Sequence, residues 1–238
     1  MSDRSPKQCV ILAGGLASRL GPHALGLPKT LLPVAGRPFA DHQLSWLAEQ
    51  GVREIVYCIG HRGDQIRAYV GDGSRWSLSV VYVDEGPALR GTGGALRLAY
   101  DEGVLADAFA VLYGDSYLQL KLQPVLSAYR AARLPALMTV LRNDGRWDRS
   151  NAEFDGTLVT RYSKVEKGTF KWIDYGLAVL DQSVVGRIAQ GHTDLADLYS
   201  ELSRKRLLAG FEVDQRFYEI GSPEGLEELN RLLTARTC

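Results

Sequence analysis

Two glycine-bearing segments, roughly 100 residues apart, carry the side chains best suited to handling a polyanion. The first is Leu12-Ala13-Gly14-Gly15, followed by Arg19 and then by Lys29 within Leu27-Pro28-Lys29-Thr30-Leu31-Leu32-Pro33-Val34-Ala35-Gly36-Arg37-Pro38. Glycines remove side chains where a backbone must turn sharply and approach a ligand closely. Amides in such a turn can cradle phosphates or a base edge, and Arg19 and Lys29 can neutralise a polyphosphate. The spacing excludes two familiar phosphate loops. Gly14-Gly15 to Gly21 is not G-x-G-x-x-G, and Lys29 follows Pro28 rather than the glycine of a Walker A loop. Taken singly, each residue also fits a turn with surface charges; the combined pattern does not.

The second segment, Gly114-Asp115-Ser116, follows an apolar run and on its own could be a simple turn. Between the two lie Glu85 and Gly91-Thr92-Gly93-Gly94-Ala95-Leu96, a glycine-rich turn opening a helix, a setting that suits an anion or a close backbone contact and also fits a structural turn. Farther along are the polar run Asn143 to Asn151, Tyr162-Ser163-Lys164-Val165-Glu166-Lys167, Trp172-Ile173-Asp174-Tyr175-Gly176-Leu177, and Tyr218-Glu219-Ile220-Gly221-Ser222-Pro223. His23, His42, His61 and His192 share no metal spacing and read as structural or surface groups.

These residues need elements to hold them. Cys9 to Ala13 is wholly apolar and suits a central strand covered on both faces. Strands follow at Val52 to Ile59, Leu78 to Val83 and Phe109 to Tyr113. Helices alternate with them at Phe39 to Gln50, stopped by Gly51, at Gln65 to Val70 and at Thr92 to Tyr100. Such alternation predicts an α/β layer fold with a mostly parallel central sheet. Ligands there collect beyond the carboxyl ends of strands, where both Gly14-Gly15 and Gly114-Asp115 fall. The second half reads as a helix from Pro124 to Leu134 and strands at Ala136 to Leu141, Gly176 to Leu180 and Gln215 to Ile220. A helical stretch from about Leu195 to Ala209 comes before the last of these. A closing helix has Ser222 as N-cap, Pro223 at its first position, and Leu226, Leu229, Leu232 and Leu233 on one face. No linker or repeat interrupts the chain, so residues 1–238 read as one unit, whose first half, about 1–118, carries the glycine segments and whose second half, about 119–238, forms a lobe.

Composition narrows the function. The 238 residues are 45% hydrophobic and 24% charged, and Lys plus Arg equal Asp plus Glu at 28 each. That balance lacks the basic excess of a nucleic-acid surface; Arg204-Lys205-Arg206 is the compact basic patch and reads as a solvated helix face. Cys9, Cys58 and Cys238 have no metal spacing and suggest a reducing compartment. No run is long and apolar enough to span a membrane and the start carries no secretory h-region, so a cytoplasmic location is expected. Homo-oligomerisation stays open.

Together these segments resemble the sugar-1-phosphate nucleotidyltransferase family, whose hallmark is a glycine pair, a nearby Arg-Leu, and Pro-Lys with Leu-Leu-Pro-Val-x-Gly-x-Pro. The resemblance runs over nearly the whole chain and is most specific in its first 38 residues. It implies a Rossmann-like nucleotide-binding sheet with a sugar-binding lobe, and an enzyme that joins an NTP to a sugar 1-phosphate and releases pyrophosphate. On this resemblance Leu12, Ala13, Gly14 and Gly15 contact the nucleotide, with Glu85 near the base and Thr92 and Gly93 enclosing the nucleoside. Arg19 holds the β- and γ-phosphates, and Lys29 meets the phosphates at the reacting centre. Asp115 and Glu219 hold Mg²⁺. Lys164 binds the sugar phosphate, preferred to Lys167 by its spacing to Gly176, while Asp174 and Asn151 meet the sugar. Three departures stand out: Ala17-Ser18 for the family's Gly-Thr, Arg90 for a leucine, and Glu219 for an aspartate. Within the family the chain, by its short length and its Gly91-Thr92-Gly93-Gly94-Ala95 segment, is similar to heptose-1-phosphate guanylyltransferases and muramate-1-phosphate uridylyltransferases. The alternatives are a non-sugar acceptor such as phosphocholine, a nucleotide-binding regulatory protein without catalysis, and a nicotinamide oxidoreductase, which the missing G-x-G-x-x-G disfavours.

Overall fold

The computed structural model describes residues 6–16, 19–21, 26–166 and 170–237. Ala17-Ser18, His23, Lys167 and Cys238 lie outside the described residues. In chain order the elements begin with β1 (Gln8–Leu12), β2 (Pro33–Val34), β3 (Arg37–Pro38), α1 (Phe39–Glu49), β4 (Glu54–Ile59), α2 (Gly63–Val70), β5 (Ser79–Asp84), α3 (Gly91–Asp101), β6 (Ala108–Tyr113) and β7 (Ser116–Tyr117). They continue with α4 (Leu122–Ala132), β8 (Ala136–Arg142), β9 (Ala152–Phe154), β10 (Val159–Tyr162), β11 (Trp172–Asp181), α5 (Gln182–Val185), α6 (Leu195–Arg204), β12 (Leu208–Val213), β13 (Tyr218–Glu219) and α7 (Pro223–Thr237).

Strand β1 is central because both its faces are apolar, and all five of its residues are buried. It pairs in parallel with β4 and β6, and β4 with β5. Cys9 and Ile11 point into one core layer with Ala40, Leu44 and Leu47 of α1 and Ile66 of α2. Val10 and Leu12 point the other way, onto Ala95, Leu96 and Ala99 of α3 and Leu195, Leu198 and Leu202 of α6. Each alternate residue of one strand therefore feeds a different helical layer, and burying one such side chain stabilises the fold by roughly 1.5–3 kcal/mol. The expected α/β fold is present as a Rossmann-like layer structure.

The sheet as a whole is mixed. Beyond β6 the chain adds β11 antiparallel, then β8 and β9 antiparallel to β11, with β10 on β9 and β12 parallel to β8. Strand β11 slips its register on β8 between Asp174 and Ala178, where Gly176 takes a φ of 97°. A side chain is disfavoured there, and the irregularity re-aims Asp174.

Two helix ends behave as read. Gly51 takes a φ of 88° after α1, and Ser222 Oγ accepts from Gly225 N–H at 3.1 Å to cap α7. One element was misread: the helix from Leu195 stops at Arg204, and Leu208–Val213 is a strand. Arg206 turns left-handed (φ 56°), and β12 then pairs with β8 from Leu208↔Ala136 to Val213↔Leu141. Non-local pairing outweighs the local apolar stripe. The expected strand over Gln215 to Ile220 shrinks to the two residues of β13, because its partner β7 is equally short. Cys9 and Cys58 are buried free thiols, and no described helix is long and apolar enough to cross a membrane.

Candidate active site

The site grows from the carboxyl ends of β1 and β6. Gly114 N–H donates to Leu12 O at 2.9 Å, and a Cβ on Gly114 would lie 2.8 Å from that oxygen. Glycine thus lets the turn after β6 close against β1 and deliver Asp115. Gln43 of α1 braces the turn from below, its side-chain N–H₂ donating to Tyr113 O (2.9 Å) and Ser116 O (2.8 Å). Pairing of β13 with β7 sets Glu219 opposite Ser116, and Ile220 N–H donates to Asp115 O at 2.9 Å. Two carboxylates distant in sequence are in this way placed side by side.

Lys29 starts a short 3₁₀ turn, Lys29–Leu31, anchored by the buried Thr30 and Leu31. Its Nζ lies 2.9 Å from Asp115 Oδ2, and both side chains are mostly buried. Arg19 reaches the same place: a Cβ on Gly221 would be 3.0 Å from an Arg19 Nη and 3.4 Å from Asp115 Oδ2. Arg19, Lys29, Asp115 and Glu219 therefore meet at one wall. Burial, then the neighbouring Asp115 carboxylate, pushes Glu219 up to about 7.

The glycine loop forms the adjoining wall. Ala13 N–H donates to Cys58 O (2.9 Å), and a Cβ on Gly14 would sit 2.1 Å from Glu85 Oε1. Glu85 is buried, and its other oxygen accepts from Arg90 N–H at 2.7 Å. Burial holds its carboxyl above the usual range, although the Arg90 amide pulls the other way. Gly15 has open space around it.

Opposite lie the residues of the second half. Asn151 Oδ1 accepts from Asp174 N–H (2.9 Å), and Asp174 Oδ1 from Gly176 N–H (2.9 Å). Asp174 Oδ2 faces the hydroxyls of Tyr162 and Tyr113 at 3.4 and 3.5 Å. Burial raises its pKa against the opposing pull of the Gly176 amide and Lys164. Lys164 Nζ lies 3.0 Å from Asp194 Oδ1.

One cavity of about 560 Å³ joins these walls. It is lined by Leu12, Ala13, Gly14, Gly15, Arg19, Lys29 and Glu85 on one side, by Asn151, Lys164 and Asp174 on the other, and by Asp115 and Glu219 between them. Thr92 reaches the wall, but its hydroxyl is spent on Asp194 Oδ1 (3.0 Å) and Leu195 N–H (2.9 Å). Gly93 is set back, its N–H donating to Thr193 O at 2.9 Å. Two first-turn amides of α3, those of Gly93 and Gly94, are thus taken by Thr193 O, while Gly91 and Thr92 line the cavity. Sequence reasoning missed Asp148, Arg149, Tyr113 and Tyr162, which also line the cavity. The polar run from Asn143 was the signal for the first two.

The donor set suits a hard divalent cation. Among the described residues no group of three or more His, Cys, Asp or Glu gathers; the carboxylates beside the Arg19–Lys29 wall are Asp115 and Glu219. Mg²⁺ commonly takes one or two carboxylates and completes its shell with phosphates and water. Mutual repulsion in the carboxylate pair would be relieved by such an ion.

Comparison with known proteins fits this picture. Mannose-1-phosphate guanylyltransferase of Mycobacterium tuberculosis is 32% identical over 76% of this chain, which spans 51% of that protein's length. D-glycero-alpha-D-manno-heptose 1-phosphate guanylyltransferase of Aneurinibacillus thermoaerophilus is 23% identical, covering 95% of this chain and 98% of its own. A Bacillus anthracis protein solved with sucrose superposes with a TM-score of 0.85 at 23% identity, over 95% of each chain. The model of the MobA-like NTP transferase domain matches residues 9–209, and the chain belongs to that family.

Proposed function

We propose that this MobA-like NTP transferase moves a nucleoside monophosphate from an NTP onto a sugar 1-phosphate, forming an NDP-sugar and pyrophosphate. The observation that carries the reading is the single cavity in which Arg19, Lys29, Asp115 and Glu219 face Lys164, Asn151 and Asp174. Cations on two walls suit two anionic substrates that would otherwise repel. The names of the mycobacterial and Aneurinibacillus relatives, both acting on sugar 1-phosphates, support the acceptor class.

In the reaction an oxygen of the sugar phosphate attacks the α-phosphorus in line. The new O–P bond forms as the bond from the α-phosphorus to the β-bridging oxygen breaks, and pyrophosphate leaves with that electron pair. The attacking group is already an anion, so no general base is needed. Catalysis is then positioning plus charge stabilisation. Gly14 and Gly15 let the nucleotide lie against the β1 loop. Arg19 takes the β- and γ-phosphates, and Lys29 the charge that develops at the α-phosphate. Asp115 and Glu219 would hold Mg²⁺, which when bound neutralises phosphate oxygens. Lys164 takes the acceptor's phosphate, while Asn151 and Asp174 frame its sugar. Residues up to about 118 serve the nucleotide, and those beyond serve the acceptor and supply Glu219.

Heptose and hexose 1-phosphates are the first acceptors to try and GTP the first nucleotide, because both named relatives are guanylyltransferases. The test is pyrophosphate release from the four NTPs and dTTP against hexose, heptose and muramate 1-phosphates, with phosphocholine as the non-sugar control. The reading expects signal with one sugar 1-phosphate. Signal with phosphocholine alone would move the acceptor class, and silence from folded protein would reject transfer.

A further inference from the structure

The turn that opens α3 is held by a strut from the second half of the chain. Gly93 and Gly94 N–H both donate to Thr193 O (2.9 and 3.3 Å), and Thr193 N–H donates to Arg90 O (2.9 Å). A Cβ on Gly94 would lie 2.2 Å from Gly191 O, and one on Gly91 2.5 Å from Thr193 O. The backbone of residues 191–194 therefore approaches this turn to a distance that only glycine permits.

Asp194 closes the strut and joins it to the opposite wall. Its Oδ1 accepts from Ala196 N–H (2.9 Å) as the N-cap of α6, and from Thr92 Oγ1 (3.0 Å). The same oxygen lies 3.0 Å from Lys164 Nζ, and Oδ2 lies 3.2 Å from it. The carboxylate is fixed by a helix end and a threonine, so the lysine is fixed by a group that is itself immobile. An ammonium has three donors, and two carboxylate oxygens leave one for a further anion.

We propose that Asp194 is a positioning residue that holds the Lys164 ammonium at the cavity wall, ready for the acceptor's phosphate. The inference rests on Lys164 being the acceptor-phosphate ligand. A lysine stem is long and freely rotating, and a group already held in its bound position gives up less freedom when the ligand arrives. Because the same oxygen holds Thr92, the ammonium is also registered against the nucleotide side of the cavity.

Asp194→Asn separates this role from capping, since asparagine caps a helix as well as aspartate and keeps an acceptor for Thr92. For a half-exposed ion pair, the acceptor KM should rise about two- to five-fold, with kcat and the NTP KM unchanged. In a Lys164→Met background the same substitution should leave the acceptor KM where it is. An equal rise in both backgrounds, or an NTP KM that moves in step, would assign Asp194 a structural role and overturn the proposal. A second measurement needs no turnover: acetylation of Lys164, read by mass spectrometry against the exposed Lys121, should quicken in Asp194→Asn. Unchanged labelling would show that Asp194 does not hold the lysine. If labelling responds but no sugar 1-phosphate turns over, the hold stands and the acceptor reading is what fails.

Discussion

Replacing Lys29 with methionine is the sharpest perturbation of the cavity, because it removes a charge while keeping an unbranched apolar stem. Nζ sits 2.9 Å from Asp115 Oδ2, and the two side chains are only 18% and 23% exposed. At an effective dielectric near 20, an ammonium about 4 Å from a phosphate oxygen interacts by about 4 kcal/mol. Losing one donor aimed at developing charge typically costs about 2.7–4 kcal/mol, or about 100- to 1,000-fold in kcat. The stability cost is far smaller. The Lys29–Asp115 pair is partly solvated, so its loss should cost on the order of 1 kcal/mol, lowering Tm by about 2–4 °C. Lys29→Arg should recover little, since a planar guanidinium does not replace a compact ammonium. Steady-state pyrophosphate release and a thermal melt on the same preparations measure both quantities. A variant that keeps its kcat, or that loses activity only because it unfolds, would refute the electrostatic role.

Three further outcomes follow from the same geometry. Gly15→Ala should fold as the parent does, since its Cβ meets open space, yet raise the NTP KM; Gly14→Ala, whose Cβ would strike Glu85 2.1 Å away, should also lower Tm. Equal nucleotide binding in Gly15→Ala would place the ligand elsewhere. Burial holds Glu85 above its ordinary value of 4.5, so between that value and the folded one the native state binds more protons than the unfolded chain. Folding stability from this group therefore falls as pH rises through that window. Glu85→Gln should gain Tm relative to the parent across it, and a pH-independent difference would contradict the assignment. Removing Mg²⁺ with EDTA should abolish turnover and leave the ligand-free melt unchanged; persistent turnover in chelator would strike Asp115 and Glu219 from the metal role.

The first half of the molecule was legible because its signals are local. A five-residue apolar run bounded by glycines is too short for most buried helices and suits a covered strand ending in a turn, so β1, β4 and β6 and the positions of Gly14 and Asp115 could be read locally. Glu219 was reachable only by resemblance, because nothing near it in sequence indicates that β13 will lie beside β7. The second half hid more. Strand β12 carries no helix breaker ahead of it except the left-handed turn at Arg206, which the sequence does not announce. Asp148 and Arg149 sit in a polar run that reads equally well as a solvated loop. The structural duty of the Gly-Thr-Gly-Gly turn was hidden for a different reason: its glycines also answer to the backbone at Gly191 and Thr193, a contact between residues about 100 apart.

The central claim is that an acceptor phosphate oxygen attacks the nucleotide's α-phosphorus, and the fate of that oxygen tests it. A sugar 1-phosphate carrying ¹⁸O at every phosphate oxygen should be incubated with the NTP it works with and Mg²⁺, and the products weighed by mass spectrometry. Attack through the acceptor predicts an NDP-sugar that keeps all of the label and pyrophosphate that carries none. Label in the pyrophosphate, or an NDP-sugar short of one labelled oxygen, would mean that the bond breaks at the acceptor's phosphorus and would contradict the account.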